Sequence, residues 1–501
     1  MNLNLTAYRD KVLGCWYGKS IGGTLGAPFE KKRQVNDVNF YVQELNGAAA
    51  PNDDLDLQLI WLAAIELKGL YQLTPRMMGE FWLANIPCPA GEYAVCRANI
   101  SNGLYPPLSG SCHNDDLKTS NGAWIRSEIW ACIFPGMPDE AIKFAYLDSC
   151  ADHCGEGIYA EMFTAALESA AFVEHDLRKL LEIGLSKIPA DCRVARGVRT
   201  VISCHDAGKD WLAAREAALK ECLPGLGWFQ APGNLAFMVI GLLYGDGDLG
   251  KTVCTAVNCG DDTDCTAGTA GAIWGIINGA AALPENWKRP IGERIVTCAI
   301  DSSDHAPIPH TLGDLTERVV RRAIIATYEN RTLMRLTEQP DDYPDDFGDS
   351  LLAQEVAKSI WEKSPYELAF PLGYIDVAID YQDGPDIRPG ESKTLAIKVR
   401  CYDAHVNTLQ FRWIVPPAWR VTPSCGSMMI RSWAENRMDC RLDAGEFGQY
   451  CEYLALEILA GDRRCPATVH VPVTLAGATA YPNIQTDYPP FRERVRRILH
   501  P

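Results

Sequence analysis

Apolar positions recur at helical spacing through most of the first 330 residues. Leu55, Leu59, Leu62 and Ile65 fall on one face of a helix, as do Phe163, Ala166, Leu167 and Ala170. Turn signals such as Pro135-Gly136-Met137-Pro138 and Ala231-Pro232-Gly233-Asn234 punctuate these runs. No series of alternating strands interrupts them. Residues 1–330 are therefore expected to form an all-α, orthogonal helical bundle, not a Rossmann or barrel domain.

Beyond residue 330 the pattern changes. The acidic stretch Glu338 to Asp346 carries Pro340 and Pro344, so residues 331–365 are expected to be a linker or surface segment. From 366 to 480 the period drops to two. Ile375, Val377, Ile379 and Tyr381 alternate with Asp376, Ala378 and Asp380. The same alternation recurs at Leu395, Ile397, Val399, at Leu409, Phe411, Trp413, at Leu454, Leu456, Ile458 and at Val469, Val471, Val473. Turns at Arg388-Pro389-Gly390 and Pro416-Pro417 separate these runs. This predicts a C-terminal all-β sandwich, with Pro472 marking an edge strand. The tail 481–501, arginine-rich after Phe491, is assigned no function.

Composition narrows the classes. A length of 501 residues allows about three domains. With 47% hydrophobic and 22% charged residues the chain is not disordered. The 47 basic and 64 acidic residues leave a net charge of −17, which works against nucleic acid and anionic membranes and suits carboxylates gathered around cations. Nineteen cysteines without a CxxC pair, after a start lacking a signal-peptide core, lead us to expect reduced thiols and a cytoplasmic protein. The longest weakly polar run, Ala267 to Leu283, is too short and too polar to span a bilayer.

Candidate chemistry lies in three segments. In Pro51-Asn52-Asp53-Asp54-Leu55-Asp56, Asn52 suits a helix N-cap, and three acids follow within the first turn. One acid there needs only the helix dipole. Three repel one another, and no Lys or Arg lies within eight positions, so oxygen ligation of a metal is the sharper reading. Gly260-Asp261-Asp262-Thr263-Asp264-Cys265 opens a second helix, in which Gly271, Gly275 and Gly279 recur every four residues. Glycine costs about 1 kcal/mol against alanine in a helix, so this stripe implies close approach of another backbone. Glycines 14, 18, 22 and 26 form a matching stripe that ends at Gly26-Ala27-Pro28-Phe29-Glu30, setting Glu30 off a helix end as a candidate catalytic carboxylate. Two acid-rich helix starts meeting in a core need cations between them, for which Mg²⁺ or Mn²⁺ is the natural partner.

These segments together resemble the ADP-ribosylglycohydrolase family, from residue 5 to about 330. Ser120-Asn121-Gly122-Ala123-Trp124-Ile125-Arg126 is similar to its Asn-Gly…Arg segment, and Asp152-His153 stands where the family has Thr-His. The resemblance implies a binuclear Mg²⁺ or Mn²⁺ centre that hydrolyses a ribosyl glycosidic bond. Metal ligands would come from Asn52, Asp53, Asp54, Asp262 and Asp264, with Asp56 compensating for Leu55. Glu30 and Asp54 would be catalytic, and Asn121, Gly122, Ala123, Arg126 and His153 would bind substrate. The expected partner is an ADP-ribosyl or other ribosyl substrate, free or on a protein. The chain departs from the family at Asn52, Leu55 and Cys265, where threonine is usual, and at Gly23, where aspartate is common. The β-rich region resembles accessory domains of bacterial carbohydrate-active enzymes at Arg388–Ser392 and Pro416–Trp419. Alternative functions are hydrolysis of a small glycoside or nucleoside-like ribofuranoside, and a non-catalytic ligand-binding or structural role. Cys150, His153 and Cys154 lack the spacing of a zinc site, and Trp61, Trp124 and Trp274 are expected to be packing residues.

Overall fold

The computed structural model describes residues 1–88, 91–302, 307–330, 333–461 and 463–478. The expected tail 481–501 lies outside the described residues. Helices dominate from Leu5 to Glu329, and no described helix is long and apolar enough to cross a membrane.

Two helices set the centre of the domain, Leu5–Gly26 and Thr263–Asn278. They run antiparallel with their glycine stripes in contact. A Cβ added to Gly14, Gly18, Gly22 or Gly26 would land on the backbone of Gly275, Gly271, Ala267 and Thr263 respectively. Side-chain-free faces therefore let the two backbones touch, and this contact recovers what glycine forfeits in helix propensity. The Thr263–Asn278 helix stops at Gly279, whose φ of +80° lets its N–H return to Gly275 O. The helix Asp53–Lys68 begins as the sequence predicts, with the Asn52 side chain accepting from Asp54 N at 2.8 Å.

Residues 333–365 are tied to the helical domain. Strand β1 (Asn2–Asn4) pairs in parallel with β2 (Arg335–Thr337). Two short helices follow, Phe347–Ser350 and Glu355–Trp361, and Leu351, Ala357 and Ile360 join the core of the helical domain. Trp361 Nε1 donates to Lys187 O at 3.0 Å. The acidic, proline-bearing composition describes the outer face of this segment and conceals its apolar one.

The β region contains β3 (Glu367–Pro371), β4 (Ile375–Asp380), β5 (Asp386–Ile387), β6 (Ser392–Cys401), β7 (Thr408–Ile414), β8 (Arg420–Thr422), β9 (Cys425–Met429), β10 (Glu435–Asp443), β11 (Cys451–Ala460) and β12 (Ala467–Leu475). They form two five-stranded sheets, ordered β3-β4-β6-β10-β8 and β5-β12-β11-β7-β9. Their inward residues, among them Ile379, Ile397, Trp413, Leu456 and Val471, make one core between the sheets. Pro472 pairs with Tyr453 of β11, while β5 reaches β12 only at Thr474 and Leu475, so its missing N–H faces no strand. Leu104, Leu108 and Cys112 of the helical domain plug into this β core. The contact is fastened by Tyr453 Oη donating to Asn102 O at 3.2 Å and by His113 against Asp386 at 2.9 Å.

Gly18→Ala should destabilise the chain by about 1–3 kcal/mol or more, because the new methyl group meets backbone that cannot move aside. Gly313→Ala, whose Cβ would meet only Thr311 Oγ1 at 3.9 Å, should be neutral or mildly stabilising. Denaturant midpoints of the two variants check this contrast. Equal effects would remove the case for backbone contact.

Candidate metal centre and active site

The helix contact brings the start of the Thr263–Asn278 helix beside the end of the Leu5–Gly26 helix, and the loop beyond each is pinned to the other. Lys31 N donates to Asp261 O at 3.0 Å, and Asp261 N to Lys32 O at 2.8 Å. Arg33 forks onto the Asp261 carboxylate at 2.9–3.1 Å and continues to the carbonyls of Leu226 and Gly227. Asp261, at φ +62°, is thus a clamp for the Glu30 loop. Nothing local in the sequence distinguishes it from its neighbours Asp262 and Asp264.

Carboxylates from all three segments meet here. One oxygen each of Glu30, Asp262 and Asp264 lies within 4.8 Å of the others, and ligand atoms of Asp54, Asp264 and Cys265 form a second such group. Asp54, Asp262 and Asp264 are buried, whereas the Glu30 side chain is 29% exposed at the rim. Burial, then the charge of Asp264, pushes the Glu30 carboxyl up to about 8. The same two causes raise Asp262 and Asp53 above the ordinary carboxylate range. Burial also raises Asp54, against the opposing pull of Lys19.

Neutral donors aim the acids. Asn121 Nδ2 donates to Asp262 Oδ2 at 2.7 Å, and Asn121 is itself held by Trp124 Nε1 at 3.0 Å. Asn52 Nδ2 donates to Asp264 Oδ2 at 3.2 Å, and Tyr93 Oη to Asp53 Oδ2 at 3.0 Å. Asn234 Oδ1 accepts from Asp262 N at 3.0 Å.

Several expected site residues stand elsewhere or are otherwise engaged. Asp56 turns from the pocket, accepting through Oδ2 from Cys298 N at 2.6 Å and Ala299 N at 2.7 Å, so it anchors that loop and does not compensate for Leu55. Asn52 Oδ1, the oxygen offered to a metal, is occupied as a helix cap. Arg126 is fully buried between Asp148 at 2.8 Å and Asp152 at 2.6 Å. Gly122 and Ala123 are buried too, with Gly122 lying against Glu92 Oε1. His153 is 1% exposed, its Nδ1 2.8 Å from Asp152 Oδ1 and its Nε2 2.9 Å from Ser120 Oγ. That Ser120–His153–Asp152 line has the order of a nucleophilic triad, yet all three residues are closed to solvent, and Asp152 is held by Arg126.

Sequence reading missed Lys19. Its ammonium lies 3.2 Å from Asp54 Oδ2 and 2.9 Å from Glu128 Oε1, all but sealed from water. A signal existed: Lys19 is the one charged residue in the glycine-spaced stretch Gly14–Gly26, four residues before Gly23 and so on its face. Its partner Glu128 lies more than a hundred residues away and carried none.

The donor set fits a hard divalent ion. Asp264 Oδ1 is buried without a hydrogen-bond partner, and the surrounding ligand atoms are mainly carboxylate oxygens, as Mg²⁺ or Mn²⁺ requires. Because Glu30 and Asp262 titrate higher in the folded chain than unfolded, the metal-free protein binds extra protons. Its stability from these groups is full below the ordinary carboxylate range and declines as pH rises through about 8. A divalent ion should remove that decline. The gap in melting temperature between Mn²⁺-loaded and chelated protein should widen from about pH 5 to about pH 9. A constant gap would contradict the protonated pocket.

No curated protein matches the chain. The sequence model of the ADP-ribosylglycohydrolase family matches residues 4–324, which is well over half of the chain and takes in all three acid-bearing segments. The glycine-packed helix pair, the acids at its open end and this match together place the protein: the chain belongs to the ADP-ribosylglycohydrolase family.

Proposed function

We propose that this chain is a metal-dependent hydrolase that cleaves the ribosyl glycosidic bond of an ADP-ribosylated protein or an ADP-ribose derivative. Membership of a family that is generally metal-dependent supports a glycohydrolase activity, and the substrate is our own reading. The observation that carries it is the meeting of Glu30, Asp262 and Asp264 at the solvent-facing end of the pocket. When bound there, Mg²⁺ or Mn²⁺ supplies a Lewis acid for ribose oxygens and lowers the pKa of a water.

The residues of the chain divide the remaining work. Asp262 and Asp264 hold the ion, kept in line by Asn121 and Asn52. Glu30, at the rim, reaches substrate and moves the proton; its elevated pKa suits acid–base work near neutrality. The concentration of negative charge favours an oxocarbenium-like transition state. Asp54, held by Lys19 and by the Cys265 thiol at 3.5 Å, supports the pocket from behind.

A second reading, hydrolysis of a small ribofuranoside, is favoured by the burial of Asn121, Gly122 and Ala123. Gly122 lies against the buried Glu92, so no space opens at this position for a large group.

A panel of ADP-ribosyl-arginine, ADP-ribosyl-serine, ADP-ribose derivatives and simple ribofuranosides, each with and without chelator, tests the reading. One member should be cleaved only when metal is present. Asp262→Asn and Glu30→Gln should each lower kcat by about 100-fold or more. Cleavage that persists in chelator would refute the mechanism, and absence of saturable Mg²⁺ or Mn²⁺ binding would leave the non-catalytic alternative.

A further inference from the structure

The two halves of the acidic pocket differ in what already compensates them. On the Glu30 side, Asp262 and Asp264 receive only neutral amide donors. Glu30 has the exposed Lys31 at 3.7 Å, and Asp264 Oδ1 is buried without a partner. Three oxygen donors there converge with no cation fixed among them.

On the Asp54 side a cation is built in. Lys19 Nζ lies 3.2 Å from Asp54 Oδ2 and 2.9 Å from Glu128 Oε1, and it also donates to Ile125 O at 2.6 Å and Thr269 Oγ1 at 3.0 Å. These four partners, from three separate stretches of the chain, surround the ammonium inside the core. The other Asp54 oxygen accepts from the Cys265 thiol, a soft sulfur that a hard ion does not favour. Leu55 brings no donor. Gly23 brings no side chain, and a Cβ there would stand 2.9 Å from Asn52 Nδ2. Asn52 Oδ1 is already the helix cap. A second divalent ion beside Asp54 would compete with the Lys19 ammonium for Asp54 Oδ2, and the other carboxylate grouped with Asp54, Asp264, is already given to the first ion.

We infer that this chain holds one divalent ion, between Asp262 and Asp264 and facing Glu30, and that the Lys19 ammonium stands in for a second ion beside Asp54. The inference rests on the metal-dependent reading above and departs from a binuclear centre. It follows that Asp54 is a positioning residue: it ties Lys19 and the Cys265 thiol to the back of the pocket and does not coordinate.

Titration of the full-length protein with Mn²⁺, followed by electron paramagnetic resonance and by bound metal per chain, tests this. One ion per chain with an uncoupled six-line spectrum is the expected result. Two ions per chain with an exchange-coupled spectrum, the signature of metals about 3.5–4 Å apart, would overturn the inference while leaving the metal-dependent reading intact. No bound Mn²⁺ at all would overturn both. Lys19→Gln, checked for folding by near-ultraviolet circular dichroism, should gain a second, weaker ion. A folded variant that still binds one would overturn the assignment of that place to Lys19. If the variant does not fold, the wild-type spectrum decides alone.

Discussion

The pocket depends on how closely the helix Leu5–Gly26 approaches the helix Thr263–Asn278. Side-chain-bearing helices pack with their axes about 8–10 Å apart. Here the glycines at 14, 18, 22 and 26 meet backbone at 275, 271, 267 and 263, so the two chains lie against one another. Because they run antiparallel, the end of one helix and the start of the other coincide, and Glu30 is delivered to Asp262 and Asp264. Every glycine in the contact is poor in a helix on its own. The glycine stripes make sense as a device for placing acids.

Placing acids together has an electrostatic consequence. Two carboxylates about 4 Å apart repel by about 4 kcal/mol at an effective dielectric of about 20. Three mutual contacts of that size amount to on the order of 10 kcal/mol, comparable with the net stability of a folded domain. A protein meets such a load by protonation, by an internal cation or by a bound one. Burial and Asp264 raise Glu30 to about 8, which favours its protonated form at neutrality, and the internal cation is Lys19. The site behind Asp54 is settled within the chain, while the site at the rim is left to what arrives from solvent.

Features that depend on local periodicity were legible in the sequence: the glycine stripes, the Asn52 cap and the strands around Ile379, Ile397, Trp413, Leu456 and Val471. β10 was not, because its inward positions include Asn436 and Cys440, while its exposed face is Glu435, Arg437, Asp439 and Arg441. The pairing of β1 with β2 joins residues more than three hundred positions apart in three-residue strands that carry no pattern of their own. At the site, the acids were legible as groups, but not what each one touches. Asp53, Asp54 and Asp56 look alike in sequence, yet the helix turns Asp56 to Cys298 and Ala299 while Asp54 reaches Lys19. Arg126 reads as a substrate ligand by motif and proves to be the centre of a buried ion cluster, because Asp148 and Asp152 come from a separate helix and the turn after it.

Crystals grown with Mn²⁺ and measured at its absorption edge test the central claim most directly, that helix contact draws these carboxylates around a cation. The account predicts an anomalous peak within bonding distance of Asp262 and Asp264, with Glu30 turned toward it. A pocket without that peak at saturating Mn²⁺, or Asp264 facing open solvent, would contradict it.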